Sequence, residues 1–151
     1  YIDGTGQHGL IAATADQSDG IAWITGGSTQ TTLNGNTSTD LGTGAANTAA
    51  IIAQAVAALN GDLSTYAAGV CDDYTNTDTG TGVYSDWFLP SKDELNKLYL
   101  NKNDIGCFAD GNYWSSSEDS ADDAWIQFFY VGNQNYIGKN FTYRVRAVRA
   151  F

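Results

Sequence analysis

The chain has 151 residues, 42% of them hydrophobic and 13% aromatic, which suits one domain with its own core and excludes a disordered tail. Seven basic against seventeen acidic side chains leave a net charge of -10, a field that repels phosphate and argues against nucleic acid and anionic membrane as partners. No apolar run approaches the roughly 18 residues of a membrane span, and no signal or lipidation motif is present, so no membrane insertion is expected. The absence of Met predicts a piece taken from a longer protein.

In chain order, residues 9–13 and 20–24 read as a strand pair joined by the turn-forming stretch Asp16-Gln17-Ser18-Asp19-Gly20. Residues 26–43, rich in Thr, Asn, Gly and Ser, read as a long surface loop. Residues 45–60 read as a helix. Alanine dominates there, Ile52, Val56 and Leu59 recur at helical spacing, and Asn60-Gly61 supplies the stop. Residues 72–82 form a second polar loop.

Ser91-Lys92-Asp93-Glu94 is a capping box, with Pro90 blocking extension backward. The helix it starts buries Leu95, Leu98 and Tyr99 and ends near Leu100. Residues 114–117 and 124–131 read as strands, the second followed by a Gly132-Asn133 turn. Residues 143–151 alternate Arg with small apolar residues, as a half-exposed strand does. Two helices packed on mostly antiparallel short strands make this an α+β chain, read as a single domain over 1–151.

Catalytic chemistry finds little support. His8 is the sole histidine and sits in a glycine-flanked polar stretch, which removes most His-dependent and metal schemes. Ser115-Ser116-Ser117 lacks the flanking glycines of a nucleophile elbow and suits hydrogen bonding at a strand edge or loop. Gly42-Thr43-Gly44 before a helix is a poor phosphate loop, with no following Lys. Cys71 and Cys107 fit one disulfide or two buried free thiols. Fifteen of the seventeen acids are Asp. They cluster with Asn76 at Asp72, Asp73 and Asp78, and with Glu118 at Asp119, Asp122 and Asp123. Neither cluster has EF-hand spacing, so no metal or other cofactor is assigned. Structural calcium is the one ion such loops could take.

The segment from Asp119 to Tyr143 follows no regular pattern. Trp125 to Val131 carries large apolar side chains on both faces, so one face must be covered or must serve as a sticky surface. Tyr, Phe and Asn are also typical of binding loops. The candidate binding residues are Asp119, Asp122, Asp123, Ile126, Phe128, Tyr130, Val131, Asn133, Asn135, Tyr136, Ile137, Asn140, Phe141 and Tyr143.

Several blocks carry a resemblance. They are His8-Gly9-Leu10-Ile11, Ile21-Ala22-Trp23, Asp86-Trp87-Phe88-Leu89-Pro90-Ser91-Lys92-Asp93-Glu94-Leu95, Tyr113-Trp114-Ser115-Ser116-Ser117-Glu118, Ala124-Trp125, Lys139, and Arg144-Val145-Arg146-Ala147-Val148-Arg149. The set resembles the C-terminal domain of bacterial collagen-like adhesins and the variable proteins of diversity-generating retroelements. Both have the C-type-lectin-like fold in its formylglycine-generating-enzyme-like branch.

The resemblance implies that residues 110–151 are a variable region, in which adenine-directed mutagenesis turns Asn codons into a set excluding Trp, Gln, Lys, Glu and Met. The fourteen candidates obey that rule, whereas Glu118, Trp125, Gln127, Gln134 and Lys139 would be scaffold. Trp87, Trp114 and Trp125 would anchor the core. The Glu-Pro-Asn or Gln-Pro-Asp calcium motif of sugar-binding lectins is absent, since Pro90 is the only proline.

The resemblance thus implies a non-catalytic binding domain on a cell surface or virion tail fibre, with a protein or glycan receptor as partner. A homotrimer through the parent protein is compatible with the collagen-like relatives. A fixed-specificity adhesin binding sulfated glycans through Lys139, Arg144, Arg146 and Arg149 is the alternative. A formylglycine-generating-type enzyme is a further one, although neither cysteine matches that motif.

Overall fold

The computed structural model describes residues 2, 4–6, 8–59, 62–75 and 83–151. Among the described residues, seven strands and four α-helices alternate unevenly. The order is β1 (Leu10–Ala12), β2 (Ser18–Ala22), α1 (Gly44–Leu59), α2 (Ala67–Asp72), α3 (Lys92–Leu100), α4 (Lys102–Ile105), β3 (Asn112–Glu118), β4 (Asp123–Phe128), β5 (Gln134–Gly138), β6 (Thr142–Val145) and β7 (Val148–Ala150). Five strands form one sheet in the order β2-β6-β3-β4-β5, and β1 pairs with β7 in a small second sheet. All of these pairings are antiparallel except β3 with β6.

The expected β1–β2 hairpin does not form. Leu10 faces Ala150, whereas Ile21 faces Tyr143, so the two N-terminal strands each take a C-terminal partner. The turn chemistry at Asp16–Gly20 serves another end. Asp16 is held by Arg144 and Arg146, and Gln17 accepts from the Ala147 amide. The expected strand over 143–151 is likewise cut in two, because Arg146 turns inward at the break and is fully buried. β5, α2 and α4 were not anticipated.

Alternation along β3 sends Trp114 to one side of the sheet and Tyr113 to the other. Trp114 joins Trp23, Ile24, Ile51, Ala55 and Ile126 in the larger core cluster. Tyr113 joins Phe88, Leu95, Leu98, Phe129 and Val148 in a second cluster beneath α3. The central strand is therefore covered on both faces, and residues 113–117 are all buried.

The α1 stripe is rotated from the expected one. Ile51 and Ala55 are fully buried, whereas Val56 is half exposed and Ile52 half buried. The buried face also takes Asn47 and Thr48, whose polar groups tie α1 to Ser38, Ser116 and Leu89. A stripe that mixes small and polar residues escapes a search for large apolar side chains. The side chain of Leu59 and the Asn60-Gly61 stop lie outside the described residues, as do positions 76–82 of the second loop.

Capping-box geometry at α3 is as expected. Ser91 accepts from the Glu94 amide, and the Glu94 carboxylate accepts from the Ser91 amide at 2.7 Å. The other carboxylate oxygen accepts from the Gly42 amide at 2.9 Å, ahead of α1. One buried carboxylate thus serves the amino ends of two helices, where the peptide dipoles favour an anion. Gly42-Thr43-Gly44 cradles this internal carboxylate rather than a phosphate. A Cβ on Gly44 would lie 2.2 Å from its oxygen, which is why glycine stands there. Burial raises the Glu94 pKa against the opposing pull of those amides.

Candidate binding face

The segment 119–143 rests on two fixed supports. The first is the serine run of β3, which lies in the centre of the sheet rather than at an edge. Ser115 donates to the Trp125 carbonyl, Ser117 donates to the Ser38 carbonyl, and Ser117 also accepts from the Lys92 amide. These hydroxyls join β4, the 26–43 loop and α3 to one strand. That loop is accordingly pinned rather than free.

The second support is a buried ion pair. Lys139 Nζ lies 2.6 Å from Glu118 Oε1, with side chains 0% and 3% exposed. The ammonium also donates to the carbonyls of Thr32 and Ala121 and sits over the Trp23 ring at 5.0 Å. All three of its protons are therefore used, which a buried ammonium requires. Glu118 accepts in addition from the amides of Asn34 and Gly35. This draws Glu118 out of the acidic cluster at 118–123 and ties it to the scaffold. Among the described residues, no group of three or more His, Cys, Asp or Glu is placed to hold a metal ion.

Most of the candidate positions lie between these supports and face outward. Asp119, Asp122, Tyr130, Val131, Asn133, Asn135, Tyr136, Asn140 and Phe141 are exposed. Tyr130 and Val131 are each 55% exposed, Phe141 51% and Tyr136 47%, high values for side chains of this size. Asp123, Phe128, Ile137 and Tyr143 are half buried.

Ile126 is 1% exposed and packs in the larger core cluster, so it cannot meet a partner. Its place follows from register, since Ile126 pairs with Trp114 and points with it into the core.

The rings of the face are ordered by contact with one another. Phe141 stacks on Tyr143 with centroids 6.5 Å apart and planes 12° apart, and Tyr143 meets Trp114 edge-on at 5.1 Å. Phe128 lies 5.6 Å from Tyr130. Trp125 is not the core anchor the sequence suggested. It is half buried, edge-on to Tyr136 at 5.4 Å, with Lys92 Nζ 3.4 Å above its ring. Trp23, fully buried, takes the anchoring place beside Trp114 and Trp87. Thr142 is also exposed, and alternation along β6 points it to the side opposite Tyr143.

Gly132 makes the turn between β4 and β5 with φ of 88°, and a Cβ there would lie 2.5 Å from the Tyr99 ring. Gln127, fully buried, donates to its carbonyl, and Gln134 donates to the Lys92 carbonyl.

The four C-terminal cations offered for sulfated glycans are not available as a basic patch. Lys139 and Arg146 are fully buried, the latter paired with Asp16 and lying over the Phe108 ring. Arg144 also pairs with Asp16, and Arg149 grips both oxygens of Asp86. That bidentate hydrogen bonding holds the Asp86 carboxyl below its ordinary range.

The two cysteines are not paired. Cys107 is exposed, and burial pushes the Cys71 thiol well up. His8 is exposed and lines an apolar cleft of about 230 Å³ with Leu10, Leu41, Phe88, Glu94 and Phe151. None of the candidate binding residues lines it.

This architecture, with its two N-terminal strands paired to C-terminal ones around a five-stranded sheet, is that of a C-type-lectin-like domain. Residues 12–149 match the model of the family described as Lcl C-terminal domain. The chain belongs to that family, a C-type-lectin-like family linked to the variable proteins of diversity-generating retroelements. Comparison with curated proteins found no match.

Proposed function

We propose that this chain is a non-catalytic ligand-binding domain whose segment 119–143 is diversified, so that it displays changeable side chains on a fixed scaffold. One observation carries the reading. The residues in and immediately before this stretch that adenine mutagenesis of Asn codons cannot produce are also those with fixed internal contacts. Glu118 and Lys139 form the buried pair. Gln127 and Gln134 hold backbone carbonyls, and Trp125 carries Lys92. Permitted types fill the exposed positions between them. Side chains projecting from strands and short turns lose little entropy on binding, which suits a surface that must accept new ligands.

The reading places the domain on a cell surface or virion, facing a protein or glycan receptor. Among the described residues, no helix is long and apolar enough to cross a membrane. The test is the DNA beside the coding region. A near-copy of the 110–151 segment, differing only at adenines and lying by a reverse transcriptase gene, is the expected result. Absence of any such copy would leave a binding domain of fixed specificity.

A further inference from the structure

The display reading leaves the partner's chemistry open, and the charge distribution narrows it. Over residues 119–143 the charged side chains are Asp119, Asp122, Asp123 and Lys139. Lys139 is buried and neutralised by Glu118. Outward, this stretch therefore presents carboxylates among aromatic rings. A cation from outside the stretch, Lys92, lies over Trp125.

Placement brings carboxylates and rings together. Asp123 sits across from Gly138 in the β4–β5 ladder. The Phe141 ring packs over Gly138, where an added Cβ would lie 3.3 Å from it. The Asp122 carbonyl accepts from the Lys139 amide, which sets Asp122 beside the 139–141 turn. Asp123 thus sits across the ladder from the glycine under the Phe141 ring, and the Asp122 backbone adjoins the turn that carries that ring.

The segment already binds one cation from its own chain, at Trp125 on the other side of β4 from Ile126. Lys92 Nζ lies 3.4 Å above Trp125, so one exposed-side ring of the segment already holds an ammonium. Aromatic faces flanked by carboxylates suit Lys and Arg side chains, through the ring quadrupole and ion pairing together.

We propose that the partner of this face is a basic polypeptide segment, its Lys or Arg side chains lying on the Phe141–Tyr143 stack and pairing with Asp122 and Asp123. The proposal rests on the display reading and adds a partner class for this particular variant. An anionic glycan would meet repulsion at the same place.

The test uses the whole chain and fluorescein-labelled nona-arginine, read by anisotropy. Salt is set at about 150 mM, where charges more than about 8 Å apart are largely screened. The variant Asp122→Asn/Asp123→Asn is compared with Asp73→Asn/Asp104→Asn, which removes equal charge from exposed positions on other elements.

We expect saturable binding that weakens about tenfold in the first pair and about twofold or less in the second. Phe141→Ala should weaken it as well. Equal weakening by both pairs would reduce the effect to net charge and overturn the proposal. So would the absence of saturable binding, or tighter binding of heparin than of nona-arginine. The adenine-marked template judges the display reading independently, so a null result here removes the basic partner and leaves that reading standing.

Discussion

β3 and β5 belong to the same sheet, one strand apart, and have opposite relations to the solvent. β3 is paired on both sides and covered on both faces, and five of its seven residues are buried. β5 pairs only with β4, and none of its five residues is buried. The hydroxyls of β3 are consumed inside the molecule, holding a loop, a helix and a neighbouring strand. The side chains of β5 and its flanking turns mostly face outward. Tolerance of substitution should thus follow coverage rather than secondary structure, since a strand can accept new side chains only where one face is left open.

The comparison breaks first if the supports prove dispensable. Lys139→Met leaves the Glu118 carboxylate buried without its cation and should cost about 3–5 kcal/mol in urea unfolding. A loss under about 1 kcal/mol would show that the ion pair does not hold the segment. Trp114→Ala should cost a similar 3–5 kcal/mol, the penalty for emptying a buried aromatic site. The half-exposed Trp125 should cost clearly less on the same substitution. Equal losses would erase the distinction between anchor and face.

Smaller effects sharpen the picture. Ser91→Ala removes the α3 cap and the hydrogen bond to the Asp40 carbonyl, and should cost about 1–2 kcal/mol. Glu94 adds a pH signature. Its folded-state pKa is raised from 4.5, mainly by burial, so the folded state holds this proton more tightly than the unfolded one. Its contribution is full below 4.5 and is lost as pH climbs through the raised value. The stability difference between wild type and Glu94→Gln should therefore turn against wild type over that window and then level off. A difference that stays flat with pH would contradict the burial argument. Smallest of all, Tyr130→Ser, Tyr136→Ser and Phe141→Ser should each move stability by no more than about 0.5 kcal/mol. A loss above about 2 kcal/mol at any of them would make that ring part of the fold.

Local signals were the legible ones. The α3 cap, the glycine turn at 132 and the strand character of 124–128 depend on neighbours in sequence. The irregular segment was legible from its lack of period, and the family blocks gave it a role. Pairing of the N-terminal strands was not legible, because Asp16–Gly20 has turn chemistry whether or not a hairpin follows. The C-terminal arginines misled for a related reason. Alternation shows which side of a strand a residue takes, and only the fold shows that Arg146 meets Asp16 there. Trp125 and Ile126 exchanged places with expectation, because a strand with large apolar residues on both faces does not say which face is core. Register with Trp114 decided it.

Gly132 has a bearing on how such a scaffold should be engineered. Its positive φ and the Tyr99 ring beside it leave room for no other residue, although the side chains of Val131 and Asn133 on either side are exposed. A synthetic library that randomised 130–136 as one continuous block would produce mostly unfolded clones. A codon-by-codon design that holds 132 and 134 constant would keep nearly every clone folded while sampling the same surface.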